Sequence, residues 1–504
     1  MSTAATELPR ASGRRERSPL RFVTAASLFD GHDAAINIMR RLIQARGVEV
    51  VHLGHNRSVD DIVRAAIQED ADGIAVSSYQ GGHNEFFRYM IDRLRELGAG
   101  HIRVFGGGGG TITPEEIAAL MDYGVERIYH PHDGMELGLQ AMIEDLVART
   151  EAARKPTAAP RASESSVDQA AMISAIEEGL FDEGELASLR KEWQVRAGQV
   201  PVIGITGTGG AGKSSVTDEV LNRFLACFPD IRIAVLAVDP TRRRTGGALL
   251  GDRIRMNSLR SERVYMRSIA TRRQHLATSE MLGDHIAYLK AQGFDLVIVE
   301  TAGIGQSDSE IVDLVDFSVY VMTSEYGAAS QLEKIDMLDF ADLVVLNKYD
   351  KRGAEDALRD VRKQWKRNHL AFGTADDEVP VFPTIASQFN DPGISWMFAE
   401  LCRRVAAKAG LDPERWTPAI DTSIREPRST ATIPGARVRY LAEIAEQGRD
   451  ANRQADSQAE IASRAQHLYE SLKLLDDPGL PAALETFPAA ALTAGKDRSL
   501  QVLR

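Results

Sequence analysis

The sequence lacks several features by which protein classes are recognised. Only two cysteines, Cys227 and Cys402, occur in 504 residues. That number excludes a disulfide framework and a cysteine-rich metal site, and it favours a reducing cytoplasm. No run of 18 apolar residues is present, so we expect no membrane span. The 60 Lys and Arg residues are outnumbered by 72 Asp and Glu, whereas nucleic-acid-binding proteins typically carry a basic footprint.

The first 21 residues contain no secretory signal. They are rich in Arg and Ser, but no apolar segment follows them, as a signal peptide requires. A transit peptide is one alternative, and the acidic Glu7 and Glu16 favour a disordered tail instead. The whole-chain composition, 43% hydrophobic and 26% charged, is that of a globular protein, and the length allows two to four domains.

The order of apolar and amphipathic segments predicts two α/β domains and a helical tail. Apolar runs alternate with helical patterns in both domains, which is typical of doubly wound parallel sheets. Five strands in the first domain suit a flavodoxin-like order, with ligands at the carboxyl edge of the sheet. The predicted segments are an α/β domain at 20–147, a linker and helix at 148–198, a P-loop α/β domain at 199–410 and a helical tail at 411–504.

The strongest motif opens the second domain. Residues 207–214, GTGGAGKS, match G-x-x-x-x-G-K-[ST] between an apolar strand and a helical pattern. In this setting backbone N–H groups surround phosphate oxygens, Lys213 reaches the β- and γ-phosphates, and Ser214 holds Mg²⁺. A Gly-rich turn that binds nothing is the alternative, which the strand and helix disfavour. The predicted phosphate-binding residues are Gly210, Ala211, Gly212, Lys213, Ser214 and Ser215.

Acidic residues follow two later strands of this domain. Asp239 and Glu300 each end an apolar strand, and Asp252 lies in a Gly-rich segment between them. Oxygen ligands suit Mg²⁺, so these three are candidate ligands, although Asp252 taken alone fits a solvated surface equally well. Lys213 and Glu300 are the candidate catalytic residues, and Gln306 is a candidate for orienting the attacking water.

The choice of base is also predicted. Residues 347–350 read Asn-Lys-Tyr-Asp, an N-K-x-D pattern at the end of a strand. The Asp350 carboxylate suits the N1 and N2 donors of guanine, which adenine does not offer, so we expect GTP to be preferred over ATP. Asn347 and Lys348 complete the motif, and residues 383–387 follow one more strand and could close over the base.

Residues 199–407 resemble the G-protein chaperones of adenosylcobalamin-dependent acyl-CoA mutases. The resemblance is carried by GTGGAGKSS, AVDPT with TGGALLGDRIRM, and VETAGIGQSDSEI. It implies that GTP use gates cofactor delivery and does not drive the isomerisation. It also implies a magnesium and switch region with Arg255 near the nucleotide. The members of that region would be Ser214, Asp239, Asp252, Glu300 and Thr301.

The first domain offers a candidate ligand histidine. His32 follows the first strand and Asp30 stands two residues before it. Imidazole suits cobalt, and a carboxylate can hold the other ring nitrogen. Taken alone, such a pair also fits a loop histidine capped by its neighbour. Ser77 and the pair Gly106–Gly107 end two further strands at the same edge.

Together these residues resemble the cobalamin-binding domain, with its D-x-H-x-x-G, S-x-L and G-G pattern. Ala35 and Tyr79 depart from that pattern at the glycine and leucine positions. The resemblance implies that His32 is the lower ligand of cobalt. It also implies that the displaced nucleotide tail of the cofactor lies beside Ser77 and the two glycines.

The order of the two domains resembles that of fused isobutyryl-CoA mutases, over residues 20 to about 475. In that family a helical linker leads into a barrel that binds the acyl-CoA. A (β/α)₈ barrel takes about 250 residues, and fewer than one hundred, without βα alternation, follow Ala407. We therefore expect a truncated or split fused mutase, or a stand-alone loading module, without its own acyl-CoA site.

The predicted function is a GTP-hydrolysing, adenosylcobalamin-binding component of an acyl-CoA mutase that interconverts isobutyryl-CoA and n-butyryl-CoA. Its expected partners are GTP with Mg²⁺, cobalamin, and a mutase barrel in another subunit or in a missing C-terminal half. We expect a homodimer that does not isomerise on its own. The alternative is a cobalamin-binding GTPase sensor or switch without a mutase role. A corrinoid methyl-transfer protein is disfavoured because residues 1–20 cannot supply the helical cap domain of that class.

Overall fold

The computed structural model describes most of the chain. The described residues are 18–160, 165–239, 241, 247–271, 275–301, 308–326, 329–427 and 440–480. Residues up to 429 form one compact unit, and the residues from 430 onward form a second.

The first unit contains two parallel sheets. The strands of the first sheet are β1 (Arg21–Ser27), β2 (Glu49–Arg57), β3 (Gly73–Ser77), β4 (Arg103–Gly107), β5 (Arg127–Tyr129) and β8 (Ala248–Leu250). Those of the second are β6 (Val202–Gly207), β7 (Ile233–Asp239), β9 (Val264–Ala270), β10 (Leu296–Glu300), β11 (Phe317–Met322), β12 (Leu343–Asn347) and β13 (Val381–Thr384). The spatial orders are β5-β4-β3-β1-β2-β8 and β13-β12-β11-β6-β10-β7-β9. The first five strands confirm the flavodoxin-like prediction.

Helices cover the sheets, which explains why the strands read as continuous apolar runs. The helices beside the first sheet are α1 (Asp33–Ala45), α2 (Val59–Gln68), α3 (His83–Glu96), α4 (Pro114–Tyr123), α5 (Pro131–Glu136) and α6 (Gly138–Ala153). Then come α7 (Ser166–Glu177), α8 (Glu183–Arg196), α9 (Lys213–Cys227), α10 (His275–Lys290), α11 (Met337–Phe340), α12 (Ala354–Asn368) and α13 (Pro392–Ala409). Local caps begin several of them: the Ser58 side chain accepts a hydrogen bond from the Asp61 N–H at the start of α2.

The second unit contains α14 (Tyr440–Leu474). This helix confirms the predicted helical tail and runs without a break through the polar stretch 448–457. None of the described helices combines the length and the apolar composition needed to cross a bilayer.

Two strands were not anticipated from the sequence, and one of them joins the sheets. Residues 246–255 read as a polar segment of the second domain, yet β8 pairs in parallel with β2 of the first sheet, Ala248 opposite Glu49. Gly247 allows this approach, because a Cβ there would lie 2.4 Å from the carbonyl oxygen of Gln44. The other unanticipated strand, β9, is the edge strand beside β7.

A buried carboxylate fastens the two sheets together beside β8. Glu69, at the end of α2, is fully buried. It accepts hydrogen bonds from Nε of Arg253 at 2.7 Å and from the backbone N–H and the hydroxyl of Ser268 at 3.0 and 2.9 Å. The Arg21 guanidinium lies 3.7 Å from its other oxygen. Groups from both sheets therefore satisfy one buried charge.

We call the contacts of Glu69 with Arg253, Ser268 and Arg21 the joint between the two sheets. Replacing Glu69 tests it. We expect Glu69→Ala to lower the free energy of unfolding by about 3–5 kcal/mol, because it leaves the buried Arg253 guanidinium without its carboxylate. Urea unfolding followed by circular dichroism measures the change. Glu96→Ala is the matched control, since Glu96 pairs with Arg93 on the surface and such pairs contribute little. Equal midpoints for the two variants would contradict the prediction.

Candidate functional site

The Gly-rich loop at the end of β6 has the geometry of a phosphate cradle. Gly207 has φ +145°, and a Cβ there would lie 1.9 Å from the carbonyl oxygen of Val321, so only glycine fits. Lys213 begins α9, and its ammonium donates hydrogen bonds to the carbonyl oxygens of Gly207 and Thr208 at 3.0 and 3.2 Å. The loop residues 210–212 lead into this helix N-terminus, whose first N–H groups and positive dipole end suit an anion.

Acidic side chains converge beside the loop, as the sequence predicted. Oγ of Ser214 lies 2.7 Å from Oε1 of Glu300 and 3.2 Å from Oδ1 of Asp252. Among the described residues, Oδ2 of Asp239 and Oε2 of Glu300 are buried and have no hydrogen-bond partner. Burial first, and then the neighbouring Asp252 carboxylate, raise the pKa of both Asp239 and Glu300. A divalent cation would satisfy these oxygens and neutralise their charge.

The donor set suits Mg²⁺ held together with phosphate. In the part of the chain that the structure describes, no three His, Cys, Asp or Glu side chains have the arrangement of an all-protein metal centre. Mg²⁺ usually takes one or two carboxylates, waters and substrate phosphates instead. The predicted members Ser214, Asp239, Asp252 and Glu300 come together here.

For two further predicted residues, the structure shows no contact with this cluster among the described residues or does not describe the residue. Thr301, next to Glu300, directs its hydroxyl to that of Thr206, 2.7 Å away. Gln306 lies outside the described residues.

The N-K-x-D motif holds the phosphate loop. Nδ2 of Asn347 donates to the carbonyl oxygen of Ala211 at 2.8 Å, and Nζ of Lys348 donates to that of Gly210 at 2.7 Å. The Asn347 Oδ1 accepts a hydrogen bond from the Ala386 N–H at 3.0 Å, so segment 383–387 packs on the motif. Asp350 lies exposed in the following turn, with its carboxylate available to a ligand.

The other GTP-binding predictions fall near these groups. Ser215 lies in the first turn of α9. Arg255 is exposed at the end of a 3₁₀ turn, Asp252–Arg255. Asn347 and Lys348 also hold the backbone of the phosphate loop, a role that the N-K-x-D motif alone did not predict.

At the carboxyl edge of the first sheet, a buried carboxylate orients an exposed imidazole. Oδ1 of Asp30 lies 2.9 Å from Nδ1 of His32 and accepts a second bond from the His32 backbone N–H at 2.9 Å. Its Oδ2 accepts from the Tyr79 N–H at 2.8 Å. The Asp30 side chain is fully buried, whereas 74% of the His32 side chain is exposed. This arrangement fixes the tautomer and leaves Nε2 for a metal.

A cavity of about 350 Å³ lies beside this histidine loop. Most of its lining is apolar, from α1, α6 and the strand ends. Oγ of Ser77 is buried in the lining and has no hydrogen-bond partner among the described residues. An apolar cavity with one unsatisfied hydroxyl suits a largely apolar ligand group that carries a polar atom. The family resemblance implies the tail of a cobalamin at this position.

The two predicted glycines border this cavity for different reasons. A Cβ on Gly106 would lie 2.6 Å from Cζ of Phe87, so packing against α3 requires glycine there. A Cβ on Gly107 would lie 3.5 Å from the carbonyl oxygen of Tyr129, an ordinary contact. Both backbones line the cavity, together with Ala35 and Tyr79.

Sequence reasoning missed Asn56, which supports the histidine loop from β2. Its Oδ1 accepts a hydrogen bond from the Phe29 N–H at 2.9 Å. A weak signal was present: Gly54 and Asn56 have φ of +85° and +55°, and Gly and Asn are the residues that tolerate this region best.

Known protein families match both α/β parts of the chain. A family model for the methylmalonyl Co-A mutase-associated GTPase MeaB matches residues 170–472, and one for the B12 binding domain matches residues 20–130. A fused isobutyryl-CoA mutase of Geobacillus kaustophilus is 51% identical over 508 residues, covering 96% of this chain and 46% of that protein. One of Cupriavidus metallidurans is 50% identical over 491 residues, covering 96% and 45%.

A more distant relative matches the GTPase part. The GTPase ArgK of Escherichia coli is 37% identical over 149 residues, covering 29% of this chain and 44% of that protein. The chain spans about half the length of the fused mutases that it matches. Since the GTPase model covers more than half of its residues, the chain belongs to the family of methylmalonyl Co-A mutase-associated GTPases, MeaB, and carries a B12 binding domain ahead of the GTPase part.

Proposed function

We propose that the chain is the GTP-hydrolysing, adenosylcobalamin-binding component of an acyl-CoA mutase, with the GTPase part acting as a chaperone for cofactor loading and holoenzyme assembly. One observation carries the proposal. A single compact unit holds a phosphate loop with a buried acidic cluster and, on its other sheet, an exposed histidine fixed by a buried carboxylate beside an apolar cavity. The names of the fused relatives support isobutyryl-CoA as the substrate, and we propose n-butyryl-CoA as its isomer in the reaction.

For GTP hydrolysis, the chain supplies position and charge. The phosphates would lie against the backbone N–H groups of 210–215, with the Lys213 ammonium turning from its carbonyl partners to the β- and γ-oxygens. Ser214, Asp239, Asp252 and Glu300 would hold Mg²⁺, which neutralises charge on the phosphates when bound. Asp350 would read the guanine edge. Gln306 stays the proposed residue that orients water.

For cobalamin, the chain would supply a histidine ligand to cobalt and a largely apolar cavity. Asp30 keeps the proton of His32 on Nδ1, so that Nε2 would be left to bind cobalt. Ser77 and the backbone at Gly106 and Gly107 would line the tail of the cofactor. Adenosylcobalamin, when bound, supplies the radical chemistry of the isomerisation.

Isomerisation also needs a site for the acyl-CoA. Because the chain spans about half the length of the fused mutases, we propose that an acyl-CoA-binding barrel completes the enzyme, either attached or as a separate subunit, and that the described part does not isomerise alone. A homodimer and a cytoplasmic location belong to the same proposal, the latter supported by two free cysteines.

The proposal is tested by assembly. The chain, adenosylcobalamin, GTP and isobutyryl-CoA are mixed with and without a candidate barrel subunit, and n-butyryl-CoA is measured by chromatography. We expect product only with the barrel. Isomerisation by the chain alone would refute the division of roles. A GTP-dependent partner of another kind, with no cobalamin bound, would favour a sensor or switch instead.

His32 gives a direct prediction. We expect the wild-type chain to change the absorption spectrum of added adenosylcobalamin, since an imidazole replaces its own base. His32→Ala abolishes that change, and Asp30→Ala weakens cobalamin binding about 10- to 100-fold because the ring loses its orienting carboxylate. The control is His369→Ala. His369 has an exposed side chain and directly follows α12, a helix beside the second sheet. A spectrum that His32→Ala leaves unaltered would refute the ligand assignment.

Asp350 gives a prediction on nucleotide choice. Asp350→Asn places an amide N–H against the N1 and N2 donors of guanine, so we expect GTP affinity to fall about 100-fold or more. Xanthosine triphosphate, which has an acceptor at C2, should bind the variant better than GTP does. Calorimetric titrations with Mg²⁺ and GTP, ATP or xanthosine triphosphate measure this. Asp356→Asn, exposed on α12, should leave all three affinities unchanged; equal GTP affinity in both variants would contradict the prediction.

A further inference from the structure

The carboxyl end of β2, residues 54–57, is irregular and lies between the two sites. The pairing of β1 with β2 shifts register twice: Thr24 pairs with His52, Ala25 with Gly54 and Ser27 with Arg57. Extra residues are thus inserted on β2, and Gly54 and Asn56 take left-handed φ values. Such bulges re-aim side chains, and here they direct contacts to both flanks of the strand.

On one flank, this strand end holds the histidine loop. Asn56 Oδ1 accepts the Phe29 N–H at 2.9 Å, and Phe29 itself has φ +63° and an 84% exposed side chain. A bulky residue in that region is strained and persists where its surroundings hold it. Phe29 directly precedes Asp30, which orients His32. Asn56 therefore fixes the backbone from which the ligand pair is presented.

On the other flank, the same strand end contacts the turn that carries Asp252. A Cβ on Gly54 would lie 2.8 Å from Cδ1 of Ile254, so the isoleucine packs on the glycine. Arg57 donates to the Ile254 carbonyl oxygen at 3.3 Å and to that of Leu53 at 2.7 Å. Between Asp252 and Ile254, Arg253 is fastened to Glu69. The contacts of Ile254 with Gly54 and Arg57 therefore connect the residue beside the Arg253 anchor to the end of β2.

The acidic cluster gives the turn a reason to move. Asp252 shares the Ser214 hydroxyl with Glu300, and carboxylates this close together repel each other when ionised unless a cation lies between them. Mg²⁺ arriving with a nucleotide changes the force on Asp252 from repulsion to attraction. The force on Asp252, and hence on the neighbouring Ile254, therefore differs between the two states, while Arg253 stays anchored to Glu69.

We infer that Asn56 is a positioning residue for the cobalamin ligand loop, and that residues 54–57 couple the nucleotide state at Asp252 to cobalamin binding at His32. The inference rests on the proposed function and adds to it the physical link between the two sites. Thermodynamic linkage makes such coupling reciprocal. If the nucleotide changes the affinity for cobalamin by some factor, cobalamin changes the affinity for the nucleotide by the same factor.

The test compares adenosylcobalamin affinity in the presence of Mg²⁺ with GDP and with a non-hydrolysable GTP analogue, by absorption titration. We expect the two dissociation constants of the full wild-type chain to differ about fivefold or more. Asn56→Gly removes the side-chain acceptor, and glycine tolerates the positive φ at this position. In this variant the two dissociation constants should differ by no more than about twofold. Asn56→Asp keeps an acceptor oxygen and should restore the ratio.

Arg64→Ala is the matched control. Arg64 bonds to the carbonyl oxygens of Leu259 and Arg260 across the same joint, and these bonds involve neither Asn56 nor Ile254, so the variant should keep the wild-type ratio. Circular dichroism and basal GTP hydrolysis verify that each variant is folded. Two results overturn this inference alone. One is equal dissociation constants for adenosylcobalamin in the wild-type chain with either nucleotide, although cobalamin and nucleotide both bind. The other is an Asn56→Gly variant that keeps the wild-type ratio of these constants. A wild-type chain that binds no cobalamin overturns the proposed function, and this inference with it.

Discussion

The Glu69 carboxylate is the interaction on which the joint between the sheets depends. It is fully buried, and a buried charge without partners is too unfavourable to persist. Its partners come from elements that the chain places far apart: Arg253 in the turn after β8, Ser268 on β9 and Arg21 on β1. Satisfying one charge therefore fixes the turn, both sheets and α2 relative to one another. Since Asp252 directly precedes Arg253, the acidic cluster inherits its position from this joint.

The two candidate sites are built on the same plan. Each takes its reactive side chains from loops at the carboxyl ends of parallel strands, where they are held by hydrogen bonds from rigid elements. Asp30 holds His32, and Asn347 holds the phosphate loop. Each site also keeps buried polar atoms without partners among the described residues: Ser77 Oγ in the cavity, Asp239 Oδ2 and Glu300 Oε2 in the cluster. Buried polar groups without a partner need an explanation, and at these two sites a bound ligand would provide one.

Features with local signals were predictable from the sequence, and features created by distant contacts were not. The phosphate loop, the N-K-x-D motif and Asp30 with His32 follow from short spacings and strand ends, because one strand and one turn suffice to build each. β8 spans three residues and becomes a strand only by pairing with β2, about 200 positions earlier. Glu69 and Asn56 lie in no motif, and Arg253 lies in one that assigned it no role, since the roles of all three arise where two sheets meet. Thr301 was predicted from the family resemblance, and in the structure its hydroxyl bonds to that of Thr206.

The direction of β8 decides whether the two sites can affect each other. Because β8 runs parallel to β2, the chain leaves it at the carboxyl edge of the first sheet, the edge that also carries His32. An antiparallel β8 would deliver the Asp252 turn to the opposite edge, and the joint would stabilise the protein without reaching the histidine loop. Parallel pairing instead brings Ile254 onto Gly54, two residues from the asparagine that holds Phe29. β8 therefore has two effects. It fastens the GTPase part to the first sheet, and it places the turn 252–255 against residues 54–57, which hold the loop of His32.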